Sequence, residues 1–132
     1  MGAEPKGYPR TLLVDADSQH GGWVVEQLNR AGFKTDLASG WPAGHGLLGF
    51  GSVYPACIVI ADLEQPKHLE EVGKLRRLRP SVWFMVLSHR PIDRARPLAR
   101  AHGVDAVLAE PFSMQDLTSR LTAFSVRARP LF

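Results

Sequence analysis

The feature that most constrains the fold is a regular alternation of short apolar runs with segments of helical periodicity. Five runs read as strands, at 11–15, 33–38, 57–62, 82–88 and 104–110. Between most of them, apolar residues recur three or four positions apart, as on one face of a helix. Strands and helices that alternate in this way form a parallel sheet covered by helices on both faces, because each crossover is right-handed. The sequence therefore predicts an α/β domain of the (βα)5 type.

Local signals mark the ends of several helices. Trp23 begins an apolar stripe in the first helical segment, and Gly32 supplies its stop. Pro97 is expected to break or kink the fourth helical segment, or to begin its regular part. Ser113 and Asp116 have the spacing of a capping box at the start of the fifth helix.

The second helical segment is the weakest, because residues 39–55 are rich in glycine and proline. Gly44, Gly46 and Gly49 spell G-x-G-x-x-G, but this motif binds dinucleotides only where it leaves a strand and opens a helix. Pro42 precedes it, and further glycine and proline follow it. We expect a short or irregular helix here, with the glycine motif in a flexible loop rather than in a phosphate-binding turn.

Composition bounds the class of protein. The chain has 132 residues, 45% hydrophobic and 22% charged, which suits one domain at 10–126 with tails at 1–9 and 127–132. The single Cys57 lies in an apolar strand and is expected in the core. No run approaches the ~20 apolar residues of a membrane span, and no signal peptide is recognisable, so we expect a cytoplasmic protein. A net charge of +3 without a basic block does not indicate nucleic acid.

Polar residues stand where the strands end. The first strand runs into Asp15 and Asp17, the third into Asp62, the fourth into Ser88 and the fifth into Glu110. In open α/β sheets, ligands bind at the carboxyl ends of the strands, at the point where the strand order reverses. With the order 2-1-3-4-5, these side chains would share one crevice. The five histidines lie in separate segments, which argues against a zinc site.

In their order and spacing, these residues resemble the receiver domains of response regulators in bacterial two-component signalling. The resemblance covers nearly the whole chain and rests on TLLVDADSQ, CIVIADLEQP, FMVLSH and VLAEPF. Pro66 stands four positions after Asp62, and Glu110 stands 22 positions after Ser88, where the family has the lysine of Lys-Pro-Phe. The resemblance implies a doubly wound, flavodoxin-like fold with five parallel strands in the order 2-1-3-4-5, and a signalling module rather than an enzyme.

By this resemblance, Asp62 is the candidate phospho-acceptor, Ser88 the hydroxyl that binds the phosphoryl group, and Asp15 one acid of the pair that holds Mg²⁺ together with Asp62. Ala16 stands where the family has its second acid, and Asp17 is one residue further along, where a strand reverses the direction of its side chains.

Two further positions depart from the family. Glu110 replaces the lysine that neutralises the phosphoryl group, and Val107 replaces the aromatic switch residue. We therefore expect a receiver-like module that acts through protein contacts, with little or no dependence on phosphorylation and no required cofactor. The alternative is a working acceptor that receives phosphate on Asp62 from a histidine kinase, with Asp17 or water completing a poorer Mg²⁺ site. An unrelated flavodoxin-like binding protein or enzyme is a third option, as is a divalent cation held by Asp15, Asp62 and Glu110 without phosphate.

Arginines crowd the fourth helical segment, at Arg90, Arg94, Arg96 and Arg100, with Asp93 opposing them. They form either a solvated helix face or a docking surface for an acidic partner or a second copy. In the receiver family, the fourth helix, fifth strand and fifth helix form the output face, so Arg94 and Arg100 are candidate partner residues. No element that reads nucleic acid is recognisable.

Overall fold

The computed structural model describes residues 10–16, 20–50, 54–89 and 91–128. Five parallel strands form one sheet in the order β2-β1-β3-β4-β5, which confirms the predicted topology. The strands are β1 (Thr11–Asp15), β2 (Thr35–Ser39), β3 (Ala56–Ala61), β4 (Trp83–Ser88) and β5 (Ala106–Ala109). The helices are α1 (Gly21–Arg30), α2 (Trp41–Gly49), α3 (Pro66–Leu78), α4 (Ile92–Ala101) and α5 (Met114–Ala128). None of the helices in these ranges is long and apolar enough to cross a membrane.

The sheet is buried on both faces because successive residues of each central strand point to opposite sides. In β3, Cys57 and Val59 face one core, which α2, α3 and α4 cover, and Ile58 and Ile60 face the other, which α1 and α5 cover. Burial raises the pKa of the Cys57 thiol, because the thiolate is disfavoured away from water. Cys57 is therefore a core residue, as predicted, and not a reactive one.

Both outer strands are shorter than their apolar runs. The edge strand β2 begins at Thr35, whose N–H donates to Asn29 Oδ1 at 3.0 Å, so that α1 fixes where the strand starts. At the opposite edge, Asp105 Oδ2 accepts the Phe84 N–H at 2.9 Å and holds residue 105 just outside β5. A side-chain hydrogen bond thus marks the start of each outer strand.

The glycine motif lies inside helix α2 and not in a loop, which corrects the expectation above. A Cβ at Gly44 would stand 2.9 Å from both methyl carbons of Val14, so α2 can lie this close to β1 only with glycine there. Arg79 closes the other end of the helix, donating to the carbonyl oxygens of Leu48 and Gly49 at 3.0 and 3.1 Å. The helix is short, as expected, and the three glycines lie within it and not in a turn between strand and helix.

The other helix signals have mixed outcomes. The capping box is confirmed, because Ser113 Oγ accepts the Asp116 N–H at 3.0 Å and Asp116 Oδ2 accepts the Ser113 N–H at 3.4 Å. Pro97 does not break α4, which continues through it. The assignment of Trp23 to the apolar stripe is wrong, since that side chain is 56% exposed, whereas Val24 and Leu28 face the core. The predicted tail at 1–9 lies outside the described residues.

Candidate functional site

The strand register gathers the predicted residues at one edge of the sheet. Ser88 ends β4 opposite Ala61, the last residue of β3, and Asp62 follows directly. Asp15 ends β1, the other neighbour of β3. Glu110 follows β5, and its N–H donates to the Ser88 carbonyl oxygen at 3.0 Å. Ser88, Asp15 and Asp62 are buried, whereas the Glu110 side chain is 47% exposed at the rim.

Asp15 is turned toward the start of α1. Its Oδ2 accepts the N–H of Gly21, the first residue of that helix, at 2.7 Å. A carboxylate at this position satisfies one of the unpaired N–H groups of the first turn and is attracted by the positive end of the helix dipole. The approach is close, because a Cβ at Gly21 would lie 2.7 Å from Asp15 Oδ2. Asp15 therefore has a structural task in addition to any role in the crevice.

Asp62 organises the loop between β3 and α3. Its Oδ1 accepts the N–H of Glu64 at 3.0 Å, and its Oδ2 accepts from Gln65 Nε2 at 3.3 Å. Its own N–H donates to Nδ1 of His68 at 3.0 Å, so this ring nitrogen carries no proton and the neutral ring is protonated at Nε2. The His68 ring also meets the edge of Trp41 in α2, with ring centroids 5.6 Å apart. Asp62 is thus hydrogen-bonded to residues of its own loop and of the first turn of α3.

Arg94 lies at this crevice. Its Nε is 3.0 Å from Oε2 of Glu64, and the two groups form an ion pair whose geometry is too bent for an aligned hydrogen bond. Because Arg94 belongs to the first turn of α4 and Glu64 to the loop after β3, the pair ties the fourth helix to the loop that carries Asp62. Arg90, the neighbouring arginine of the predicted cluster, lies outside the described residues.

Glu110 has a partner within the chain. Its Oε2 lies 3.3 Å from His89 Nδ1, and the contact becomes an ion pair when His89 is protonated. The His89 ring also faces the His20 ring, with centroids 6.5 Å apart. The Glu110–Pro111 peptide bond is cis. At the other position that departs from the family, Val107 is buried in the core beneath α4.

The described residues do not complete the Mg²⁺ site of a receiver. Ala16 supplies no oxygen ligand from its side chain, while Asp15 Oδ2 accepts the Gly21 N–H and both oxygens of Asp62 accept hydrogen bonds from their own loop. Within those ranges, no three His, Cys, Asp or Glu side chains lie together so as to hold a metal ion. The set of Asp15, Asp62 and Glu110 considered above is therefore not assembled. Asp17, the proposed substitute, lies outside the described residues.

Arg100, the other candidate partner residue, lies away from this crevice. It lines a pocket of about 140 Å³ between α4, β5 and α5, together with Arg96 and Arg120. Arg120 was not predicted, because α5 is distant in sequence and only the packing of the sheet brings it to α4. Glu64, Gln65 and His68 were missed as well. The one signal for them was their position just after Asp62, in or next to the loop that joins β3 to α3. This loop, residues 62–65, is the acceptor loop.

No family model matches the sequence, and no curated protein matches it significantly. Solved structures do match. The receiver domain of Francisella response regulator 1452 superposes with a TM-score of 0.79 at 18% identity, over 92% of this chain and 99% of that one. A CheY-like receiver domain from Methanospirillum hungatei gives 0.76 at 17% identity, over 90% and 94%. HP1043, an orphan response regulator of H. pylori, gives 0.72 at 27% identity, over 90% and 98%. This chain therefore has the fold of a response-regulator receiver domain.

Proposed function

We propose that this chain is a signalling module of the two-component type, not an enzyme, and that it works through protein contacts without phosphorylation of Asp62 or bound Mg²⁺. The observation that carries the proposal is the carboxylate of Glu110 at the position of the family's lysine, where its partner is His89. Within the crevice, Asp62 accepts hydrogen bonds from its own loop, and Glu64 forms an ion pair with Arg94.

Electrostatics favour this interpretation. An aspartyl phosphate places about two negative charges on the acceptor carboxylate, so a receiver needs cations around it. Two unit charges ~5 Å apart at an effective dielectric constant of ~20 interact by ~3 kcal/mol. At Glu110 this interaction repels the phosphoryl group instead of attracting it. The figure is an upper value, because Glu110 is half exposed and water screens its charge.

The face of α4, β5 and α5 is the surface we assign to a protein partner. Receiver domains use this face for output, and here it carries the exposed arginines of α4 and α5. Val107 cannot report the state of Asp62 as the family's aromatic residue does, because it is an aliphatic side chain fixed in the core. The face therefore presents one surface to its partner, whatever the state of the crevice.

A working phospho-acceptor is the second candidate. It is supported by Asp62 and Ser88, which keep the family's placement at the ends of adjoining strands. In that case a histidine kinase is the phosphate donor, and a metal site needs a ligand from outside the described residues, such as Asp17.

Intact mass spectrometry after incubation with acetyl phosphate and Mg²⁺ separates the two candidates. We expect no stable gain of a phosphoryl group, while an active receiver treated in parallel gains one. The Asp62→Asn variant is the matched control. A phosphoryl adduct that forms on the parent and disappears in Asp62→Asn would overturn the proposal in favour of the second candidate.

A further inference from the structure

The pocket between α4, β5 and α5 is unusual in its charge. Arg96 and Arg100 of α4 and Arg120 of α5 converge on a recess that also reaches Val107. None of the ion pairs formed within the described part of the chain involves these three arginines. The one acid in the lining, Asp105, uses Oδ2 to accept the N–H of Phe84, so it is engaged in the fold. Three cationic groups therefore share the lining of this recess with a single carboxylate, which leaves positive charge in excess.

The size of the recess indicates what it can hold. Its volume of about 140 Å³ corresponds to a few water molecules at ~30 Å³ each. A carboxylate side chain fits such a space, and guanidinium groups bind carboxylates through paired N–H donors. A nucleic-acid backbone is instead recognised by an extended basic stripe that follows many phosphates. A compact recess whose lining includes Asp105 does not provide one.

We propose that this pocket accepts an aspartate or glutamate side chain from an acidic segment of a partner protein. The inference rests on the proposed function, because it takes the α4, β5 and α5 face as the contact surface, and it adds the chemistry that the partner brings. A second copy of this chain is a poorer occupant. A symmetric dimer through this face would set the three arginines of the recess against the same three of the other copy, with one acid, Asp105, in each lining.

The test uses the unphosphorylated full chain and a fluorescent peptide of alternating Glu and Gly, with its Gln counterpart as control. Fluorescence anisotropy should show binding of the acidic peptide, at least tenfold stronger than that of the Gln peptide. Arg100→Gln and Arg120→Gln should each weaken the affinity about tenfold, the usual effect of losing one charge-assisted hydrogen bond. Arg100→Lys, which keeps the charge but loses the planar fork, should fall between Arg100→Gln and the parent.

Arg77→Gln is the matched control, because Arg77 is an exposed arginine on α3 and its loss changes the net charge equally. It should leave binding unchanged. If Arg77→Gln and Arg100→Gln weaken the affinity for the acidic peptide equally, the proposal is overturned, because general charge attraction then explains the binding. Two other results would also overturn the proposal: tighter binding of a short DNA duplex than of the acidic peptide, or a dimer in sedimentation that Arg100→Gln abolishes. Phosphorylation takes no part in this binding assay. A negative result here therefore leaves the mass-spectrometric test of Asp62 unaffected, and a negative result there leaves the binding assay unaffected.

Discussion

The backbone N–H of Asp62 donates a hydrogen bond to Nδ1 of His68, a side chain in the first turn of α3, at 3.0 Å. The bond joins the end of the central strand to the helix that follows it. Since the same ring contacts Trp41, α2 is connected to Asp62 through one side chain. The hydrogen bond to His68 and the contact of its ring with Trp41 therefore hold the acceptor loop in place.

Replacing His68 should loosen this loop. His68→Leu leaves the N–H of Asp62 without its acceptor, and we expect a loss of about 1–3 kcal/mol in the free energy of unfolding. His68→Asn places an amide oxygen close to the position of Nδ1 and should retain most of the stability. Urea denaturation of the two variants measures the difference. If both variants unfold at the same urea concentration, the hydrogen bond does not stabilise the loop.

A pair of adjacent glycines tests the contact between Asp15 and α1. Gly21→Ala places a Cβ 2.7 Å from both Cβ and Oδ2 of Asp15, and we expect a loss of about 1–3 kcal/mol from overpacking. Gly22→Ala is the control in the same turn, because nothing lies within 4 Å of its Cβ. It should be neutral or stabilise the fold by up to about 1 kcal/mol, through the better helix propensity of alanine. Thermal unfolding of both variants measures the effect, and equal midpoints would contradict it.

At the edge strand β2, the pKa of Asp36 provides a test by titration. The pKa of Asp36 lies below its ordinary value of 3.8, mainly because the Tyr54 hydroxyl donates to Oδ2 at 2.7 Å, while Arg10 adds a smaller lowering against the raising effect of burial. Tyr54→Phe should raise the pKa of Asp36, as measured by NMR titration of its carboxyl carbon. Arg10→Gln should raise it as well.

The sign of the stability effect follows from this lowered pKa. A carboxyl whose pKa is lower in the folded state stabilises the fold above its unfolded value and loses that contribution as the pH falls through the folded value. The difference in stability between the parent and Tyr54→Phe should therefore be constant above pH 3.8 and shrink below it. A difference that grows on acidification would show that the Tyr54 hydroxyl acts by another route.

A second carboxyl with a lowered pKa, Glu71, lies between α2 and α3. His45 Nε2 donates to Glu71 Oε1 at 2.8 Å, and this bond, with a smaller effect of Lys74, holds the pKa of Glu71 below its ordinary value of 4.5 against the effect of burial. His45→Leu should raise the pKa of Glu71 in a carboxyl NMR titration. The stabilisation should be lost as the pH falls below 4.5. An unchanged pKa in the variant would show that the hydrogen bond from His45 does not lower the pKa of Glu71.

Introducing the residues that receivers carry at positions 16 and 110 should make Asp62 a phospho-acceptor. Ala16→Asp together with Glu110→Lys supplies a second acid for Mg²⁺ and an ammonium group for the phosphoryl oxygens. We expect the double variant to bind Mg²⁺ in titration calorimetry and to accept a phosphoryl group on Asp62. Neither single variant should do so, because one lacks the cation and the other the metal ligand, and the two effects are not additive. A folded but inert double variant would refute this account of the crevice.

The central strands could be predicted from the sequence because burial on both faces leaves continuous apolar runs such as 57–62. The polar residue that ends each run then locates one edge of the sheet, which is why Asp62, Ser88 and Glu110 were found. Helix α2 was harder to predict, since the close packing of Gly44 on Val14 overrides the low helix propensity of glycine.

The partners of the site residues could not be predicted. The pairs Glu64 with Arg94 and Asp62 with His68 depend on side-chain directions and on the placement of α3 and α4 against the loop. Periodicity carries no information on either. It likewise could not distinguish Trp23 from Val24, since both are apolar and adjacent, and only the orientation of α1 decides which one meets the core.

The hydrogen bond from Gly21 to Asp15 bears on how such sequences are interpreted. A carboxylate that caps a helix stabilises the fold whether or not the chain exchanges phosphate. Ala16 has no polar side chain and cannot perform this task. An aspartate at the end of the first strand is therefore poor evidence that a receiver-like chain is phosphorylated, and the residue after it is the better diagnostic.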